Sequence, residues 1–403
     1  MIKNNTPKYG LPKDVVFCKR CVISNQRPSS AVEFKAKAGD RKETIAFGAD
    51  GVCDACRYAE HKETINWKVR EKELIKLCDK HRSKDGRYDC IVPGSGGKDS
   101  AFASHILKYK YGMNPLTVTW SPHMYTDIGW KNFERWIHVG GLDNVLFTPN
   151  GKVHRMLTKL AFENLLHPFQ PFIIGQKYIG PKFAVQYQIP LIFYGENQAE
   201  YGNKIADNDV PTMKKEFFTQ DISLNQLFLG GVSASELIKN EKLSLNDLNP
   251  YLPVSKKEIE KLKAEVHFLG YYLKWDSQEC YYYAAKNTGF QANSERTEGS
   301  YSKYSSIDDK TDPFHYYTTL AKFGLGRASY DAAQEIRNGK ITREEGVALV
   351  KRFDQEFPKK YFKEFLAYVD MSEEKFHKFI DAGRSPHIWD KKNGEWSLKH
   401  QVS

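Results

Sequence analysis

No stretch of this sequence approaches the roughly eighteen uncharged apolar residues that a membrane-spanning helix requires. The first residues, MIKNNTPKYGLPKD, lack the apolar segment that directs export. A membrane or secreted protein is therefore not expected, and a cytoplasmic one is. Internal repeats and low-complexity tracts are missing as well, which argues against a repeat architecture. Two familiar nucleotide signatures also fail at the one conspicuous glycine-rich stretch, PGSGGKDS. A G-x-x-x-x-G-K-[ST] loop needs its hydroxyl directly after the lysine, and here Asp99 intervenes; a G-x-G-x-x-G fingerprint needs a last glycine that is not there.

What is present suits a globular protein of two or three domains: 403 residues, 40% hydrophobic and 13% aromatic. The net charge is +10, and residues 1–90 hold 20 Lys and Arg against 13 Asp and Glu, so most of the surplus precedes the glycine-rich stretch. That keeps RNA binding open. The plainer reading is a solvated basic face suited to anionic small molecules or an acidic partner.

Of seven cysteines, Cys18 and Cys21 form CKRC, and Cys53 and Cys56 form CDAC. Two CxxC pairs in a cytoplasmic chain read as a metal site sooner than as disulfides, and four thiolates suit a closed, structural tetrahedral zinc. The 31 residues between the pairs exceed the usual ribbon spacing, and an iron–sulfur cluster or redox pairs are the other readings. Cys78, Cys90 and Cys280 read as packing residues.

A charged helix is expected in INWKVREKELIKLCDKHR, with Ile65, Val69, Leu74 and Leu77 as its inner face. From residue 88 strands alternate with helices: YDCIVP, PLTVTW, NVLFTP and PLIFYGEN against AFASHILKYKY, IGWKNFERWIHV, VHRMLTKLAFENLL and PKFAVQYQ. This predicts an α/β fold with a doubly wound parallel sheet, whose ligand lies at the carboxyl ends of the strands. Beyond about residue 205 the alternation fades into a mainly helical portion, with a capping box at Thr342 and Glu345. The expected division is a cysteine metal module at 1–62, a nucleotide-binding α/β domain at 63–205, and a helical portion at 206–403 that completes the substrate site.

In its strand–turn–helix setting, SGGKDS resembles the pyrophosphate loop of the PP-loop ATP pyrophosphatases. The resemblance implies a Rossmann-like fold of that type, with Ser95, Gly96, Gly97, Lys98, Asp99 and Ser100 around the pyrophosphate end of ATP, together with magnesium, and with Val118 to Trp120 beside adenine. A wider set of blocks, FCKRCVISNQRP, GVCDACRYAE, PGSGGKDS, YTDIGWKNFERWI, FYGENQAEYG and KFGLGRASYDAAQEIRNGKITREEGVALV, is similar to the N-acetyl sugar amidotransferases of bacterial surface-glycan biosynthesis, which make acetamidino sugars for lipopolysaccharide O-antigens and pseudaminic-acid-type glycans.

That similarity implies an enzyme that adenylates the acetamido oxygen of a sugar or nucleotide sugar, releasing pyrophosphate, and lets ammonia displace AMP. Cys78, Cys90 and Cys280 suit packing better than a glutaminase nucleophile, and the resemblance implies a separate glutaminase subunit that supplies ammonia; neither nucleic acid nor membrane is an expected partner. Asp99 and Lys98 would serve catalysis, Glu200 would move protons as the amidine forms, and Glu196, Asn197 and Arg327 would hold magnesium or substrate. An N-cap cluster is the plain alternative for GENQAEYG. Two other functions compete: a tRNA thiolation enzyme of the same superfamily, and a non-catalytic zinc-ribbon scaffold.

Overall fold

Strands buried on every residue need cover on both faces, and the chain supplies it. The computed structural model describes residues 6–202, 209–221 and 223–403. Strands β1 (Cys90–Pro93) and β2 (Pro115–Trp120) are buried throughout, and β3 (Asp143–Phe147) lies at one edge. Beyond β4 (Leu191–Tyr194), the short strands β5 (Phe228–Leu229) and β6 (Val232–Ser233) pair as an antiparallel hairpin, and β7 (Glu265–Phe268) returns to the sheet. The sheet order is β3-β2-β1-β4-β7, all parallel, with Ile91 opposite Leu116 on one side and Ile192 on the other. The order reverses between β1 and β4, so a ligand crevice opens above their carboxyl ends.

Side chains alternate across the sheet. Ile91, Val118, Trp120, Ile192 and Val266 pack against α5 (Gly151–Leu165), α6 (Gln170–Tyr187) and the helices of residues 234–262. Cys90, Val92, Leu191 and Phe193 face α2 (Trp67–His81) and α3 (Lys98–Tyr109). The helix expected in PKFAVQYQ proves to be the second half of α6. That helix lies tight on the sheet because Gly175 leaves room for Trp120: a Cβ there would stand 2.1 Å from the indole.

Cys78 and Cys90 are packing residues, both buried, with burial pushing the Cys78 thiol up to about 12 and the Cys90 thiol well above its ordinary value. Val69 departs from expectation. It is 49% exposed, and the inner face of α2 is carried by Leu74 and Cys78. The sheet also takes its last strand, β7, from beyond residue 205, inside the stretch expected to be mainly helical; the 205/206 boundary itself lies outside the described residues.

The remainder is mainly helical, with helices Ser277–Thr288, Asp312–Phe323, Arg327–Arg337, Arg343–Phe353, Phe362–Val369 and Glu373–Gly383 and a closing hairpin of β8 (Trp389–Lys392) and β9 (Glu395–Leu398). The capping box at Thr342 and Glu345 forms as its spacing requires. Residues 6–53 carry only isolated bridges and one short 3-10 turn, then enter α1 (Asp54–Thr64) at Cys53. The four cysteines of that segment pack against Ala332, Ala333 and Val402, so the segment is docked on the helical portion. No described helix is long and apolar enough to cross a membrane.

Candidate functional site

The loop after β1 turns through Gly96 at φ +84°, a conformation natural to glycine. A Cβ there would stand 2.8 Å from the Cα of Phe133, so the loop is pressed onto the backbone of α4 (Asp127–His138). Helix α3 then starts at Gly97 with no side-chain cap. Its first N–H groups and its dipole favour an anion, which is the donor set a phosphate needs. Asp99 is fixed between Lys98 Nζ at 2.5 Å and Trp275 Nε1 at 3.2 Å. Burial works against the Lys98 charge, but the Asp99 carboxylate outweighs it and holds the ammonium above its usual value.

Ser95, Gly96, Gly97, Lys98 and Asp99 line one wall of a cavity of about 390 Å³. Residues distant in sequence line the rest, among them Arg27, Asp308, Tyr316, Arg327, Tyr330 and Arg337. Ser95 Oγ donates to Asp308 Oδ2 at 2.8 Å, tying the glycine loop to the helical portion. Arg327 lies here as the sequence led one to expect, 3.0 Å from Asp331 Oδ1 and with its guanidinium 4.4 Å from the Tyr316 ring centroid. Arg27, Asp308, Trp275 and Arg337 were missed. The acidic run IDDKTD between aromatic stretches was a signal for Asp308; the others carry none that a linear reading shows.

Other expected residues lie elsewhere. Ser100 does not line this cavity; its hydroxyl turns back to the Gly97 carbonyl at 3.0 Å. Glu196 lines an adjoining cavity of about 330 Å³ over the ends of β1, β2 and β4, with Gly94, Trp120 and Tyr194. Its carboxyl, which accepts from Tyr201 OH at 2.9 Å, is raised by burial and by Asp99. The buried Trp120 Nε1 has no protein partner, so this second cavity offers an unused donor and an aromatic edge where adenine was expected. Asn197 caps the turn of residues 198–201, accepting from Ala199 N–H at 3.0 Å, so the N-cap alternative describes it.

Glu200 is shut in a buried ion pair with Lys62 at 2.7 Å and lines neither cavity. Because removing one partner strands the other, Lys62→Met or Glu200→Gln alone is expected to cost about 3–5 kcal/mol, and the double variant less than the sum. Denaturant melts of the three variants test this. Cys280 is 2% exposed, and burial, then the Asp99 charge, pushes its thiol well up.

Burial raises the carboxyls of Asp312, at the cavity wall, to about 6 and of its neighbour Asp309 to about 7, from an ordinary 3.8. Raised carboxyls stabilise the fold fully below their unfolded value and lose that contribution as pH climbs through the folded one. Asp309→Asn keeps an acceptor for Thr311 N–H and removes the charge. It is therefore expected to melt above wild type near pH 8 and level with it near pH 4, as thermal melts across that range would show.

The four cysteine sulfurs lie within 4.8 Å of one another, with Cys18–Cys56 at 3.9 Å and Cys21–Cys53 at 3.7 Å. Four thiolates about 2.3 Å from one zinc stand about 3.8 Å apart, so the cluster fits that ion. N–H groups of Arg20 and Cys53 point at Cys18 Sγ at 3.4 and 3.3 Å, as they would toward a thiolate. Among the described residues no other cluster of His, Cys, Asp or Glu has metal-binding spacing.

Residues 298–403 match the family described as LPS biosynthesis protein WbpG-like, C-terminal domain. An uncharacterized protein of Methanocaldococcus jannaschii is 34% identical over 77 residues, which is 19% of this chain and 27% of that protein's length. The structure of NMN synthetase from Francisella tularensis aligns with 77% of this chain and 96% of its own, at 14% identity and a TM-score of 0.30.

Proposed function

We infer that the chain is an ATP-using enzyme of surface-glycan biosynthesis that turns an acetamido group of a sugar or nucleotide sugar into an acetamidino group. One observation carries the reading: the uncapped glycine loop of residues 95–99 shares a single cavity with Asp308, Asp312 and Arg327, which lie in the segment that matches the lipopolysaccharide-biosynthesis family. The loop amides and the α3 N-terminus are suited to the pyrophosphate as it leaves. Magnesium, held with Asp99, would neutralise phosphate charge.

The balance is simple. The amide oxygen attacks the α phosphorus and pyrophosphate leaves; ammonia then attacks the imidoyl carbon, the C–O bond to AMP breaks, and the nitrogen sheds its protons to give the amidine. A partner glutaminase supplies the ammonia. The buried, protonated Cys280 speaks against the thiolation alternative, which needs a thiolate.

The test is release of AMP and pyrophosphate from ATP with ammonium chloride, across N-acetylated sugars and their nucleotide forms. One sugar should trigger release and acquire an amidine seen by mass spectrometry. AMP production with tRNA and a sulfur donor instead would move the reading to thiolation, and none with either would leave the scaffold.

A further inference from the structure

Arg27 stands six residues after Cys21, and its side chain lines the cavity of the glycine loop. The residue is 7% exposed, its guanidinium lies 5.2 Å from the Tyr330 ring centroid, and its buried Nε has no hydrogen-bond partner. Other sheltered arginines have carboxylates: Arg384 has Asp381 at 2.6 Å and Arg327 has Asp331 at 3.0 Å. Among the described residues none pairs with Arg27. Its guanidinium donates to the Tyr330 hydroxyl, Tyr330, Arg337 and Cys53 are the groups whose charge reaches it, and burial together with the Arg337 charge pulls its affinity for the proton down. Arg337 lines the same cavity and gives one guanidinium N–H to the Glu200 carbonyl at 3.0 Å. The cavity carboxylates Asp308, Asp312 and Asp331 form no described ion pair with Arg27, and a buried cation without such a pair is unfavourable until an anion joins it.

We propose that Arg27 and Arg337 form a second anion subsite in this cavity, separate from the glycine loop, which takes an oxyanion of the substrate, a phosphate or a carboxylate, through the bidentate face of Arg27. The cysteine-bearing segment is then part of the substrate site and more than a staple. The proposal rests on the preceding reading only in treating this cavity as the substrate site.

Isothermal titration tests it on the full chain carrying its metal and saturated with α,β-methylene ATP, using inorganic phosphate in one arm and glucuronate in the other. Wild type should bind at least one of them. Arg27→Gln should lose at least about tenfold in affinity, and Arg27→Lys, which keeps charge and loses the fork, should fall between. Without added anion, Arg27→Gln should melt at or above the wild-type temperature, since it deletes an unpaired buried charge; a merely structural arginine would lower it. The subsite is overturned if neither anion binds wild type, if Arg27→Gln binds both as wild type does, or if its ligand-free melting temperature drops by several degrees. Failure of the ATP analogue to bind wild type sinks the ATP reading instead, and the Arg27 comparison, repeated without it, still decides the subsite.

Discussion

Gly96→Ala is expected to lower ATP-dependent AMP formation by about 10²-fold or more while the chain remains folded, because an error of about 1 Å in the placement of reacting groups costs that much. The added methyl meets the Phe133 Cα at 2.8 Å and the Phe133 N at 3.1 Å, backbone atoms in the middle of α4 that cannot swing aside. The loop must therefore move, and its amides lose their aim. Backbone strain adds about 1–3 kcal/mol, since φ is +84°. Gly86→Ala separates the two effects. Its φ is +80° with nothing within 4 Å of the new methyl, so it should cost about 1 kcal/mol of stability and leave turnover alone. Nucleotide binding by calorimetry and AMP release by chromatography check both variants; full ATP affinity in Gly96→Ala would show that this loop does not hold the phosphates.

Loss of a metal from the four-cysteine cluster is expected to be the largest single insult to stability. Purified chain should contain one zinc, and chelation or Cys53→Ser should lower the melting temperature by about 10 °C or more, on the reckoning that losing about 10 kcal/mol of metal-binding free energy moves a chain of this size by about that much. Residues 6–53 form no extended sheet of their own, and their core is largely the four sulfurs with Val22, Ile23, Ile45 and Val52. Cys53 is also the residue from which α1 starts. Metal analysis with a calorimetric melt decides the matter: an unchanged melt in verified apoprotein would show that packing on the 327–337 helix suffices, and iron with its visible absorbance would replace zinc by a cluster.

Strands β1 to β4 and the glycine turn were legible because their signals are local: short apolar runs, a break, a helix of the right period. β7 was not. Its four residues, EVHF, sit among charged neighbours, and it becomes a strand only by pairing with β4 more than seventy residues earlier. The loop side of the site was legible for the same reason, and the opposite wall was hidden because Arg27, Asp308 and Arg337 meet only through tertiary packing. Glu200 shows the limit clearly. Its place just beyond β4 suggested the crevice, yet the 3-10 turn of residues 198–201 carries it to Lys62, 138 positions away in the chain.

The two ends of the described chain are stitched together. Lys8 N donates to Ser385 Oγ at 2.9 Å, Gln26 Oε1 pairs with His387 Nε2 at 3.0 Å, and Val402 is buried with the cysteine cluster. Contacts of such sequence separation form slowly, since the loop they close spans nearly the whole chain. On the ribosome the cysteine segment emerges well before the helices it packs on and must wait, its apolar side bare, until residues near 400 have been made. Assembly of the cavity is thus a late event of biosynthesis, and trimming the hairpin of β8 and β9, or a tag that pulls on it, would open the cavity from hundreds of residues away.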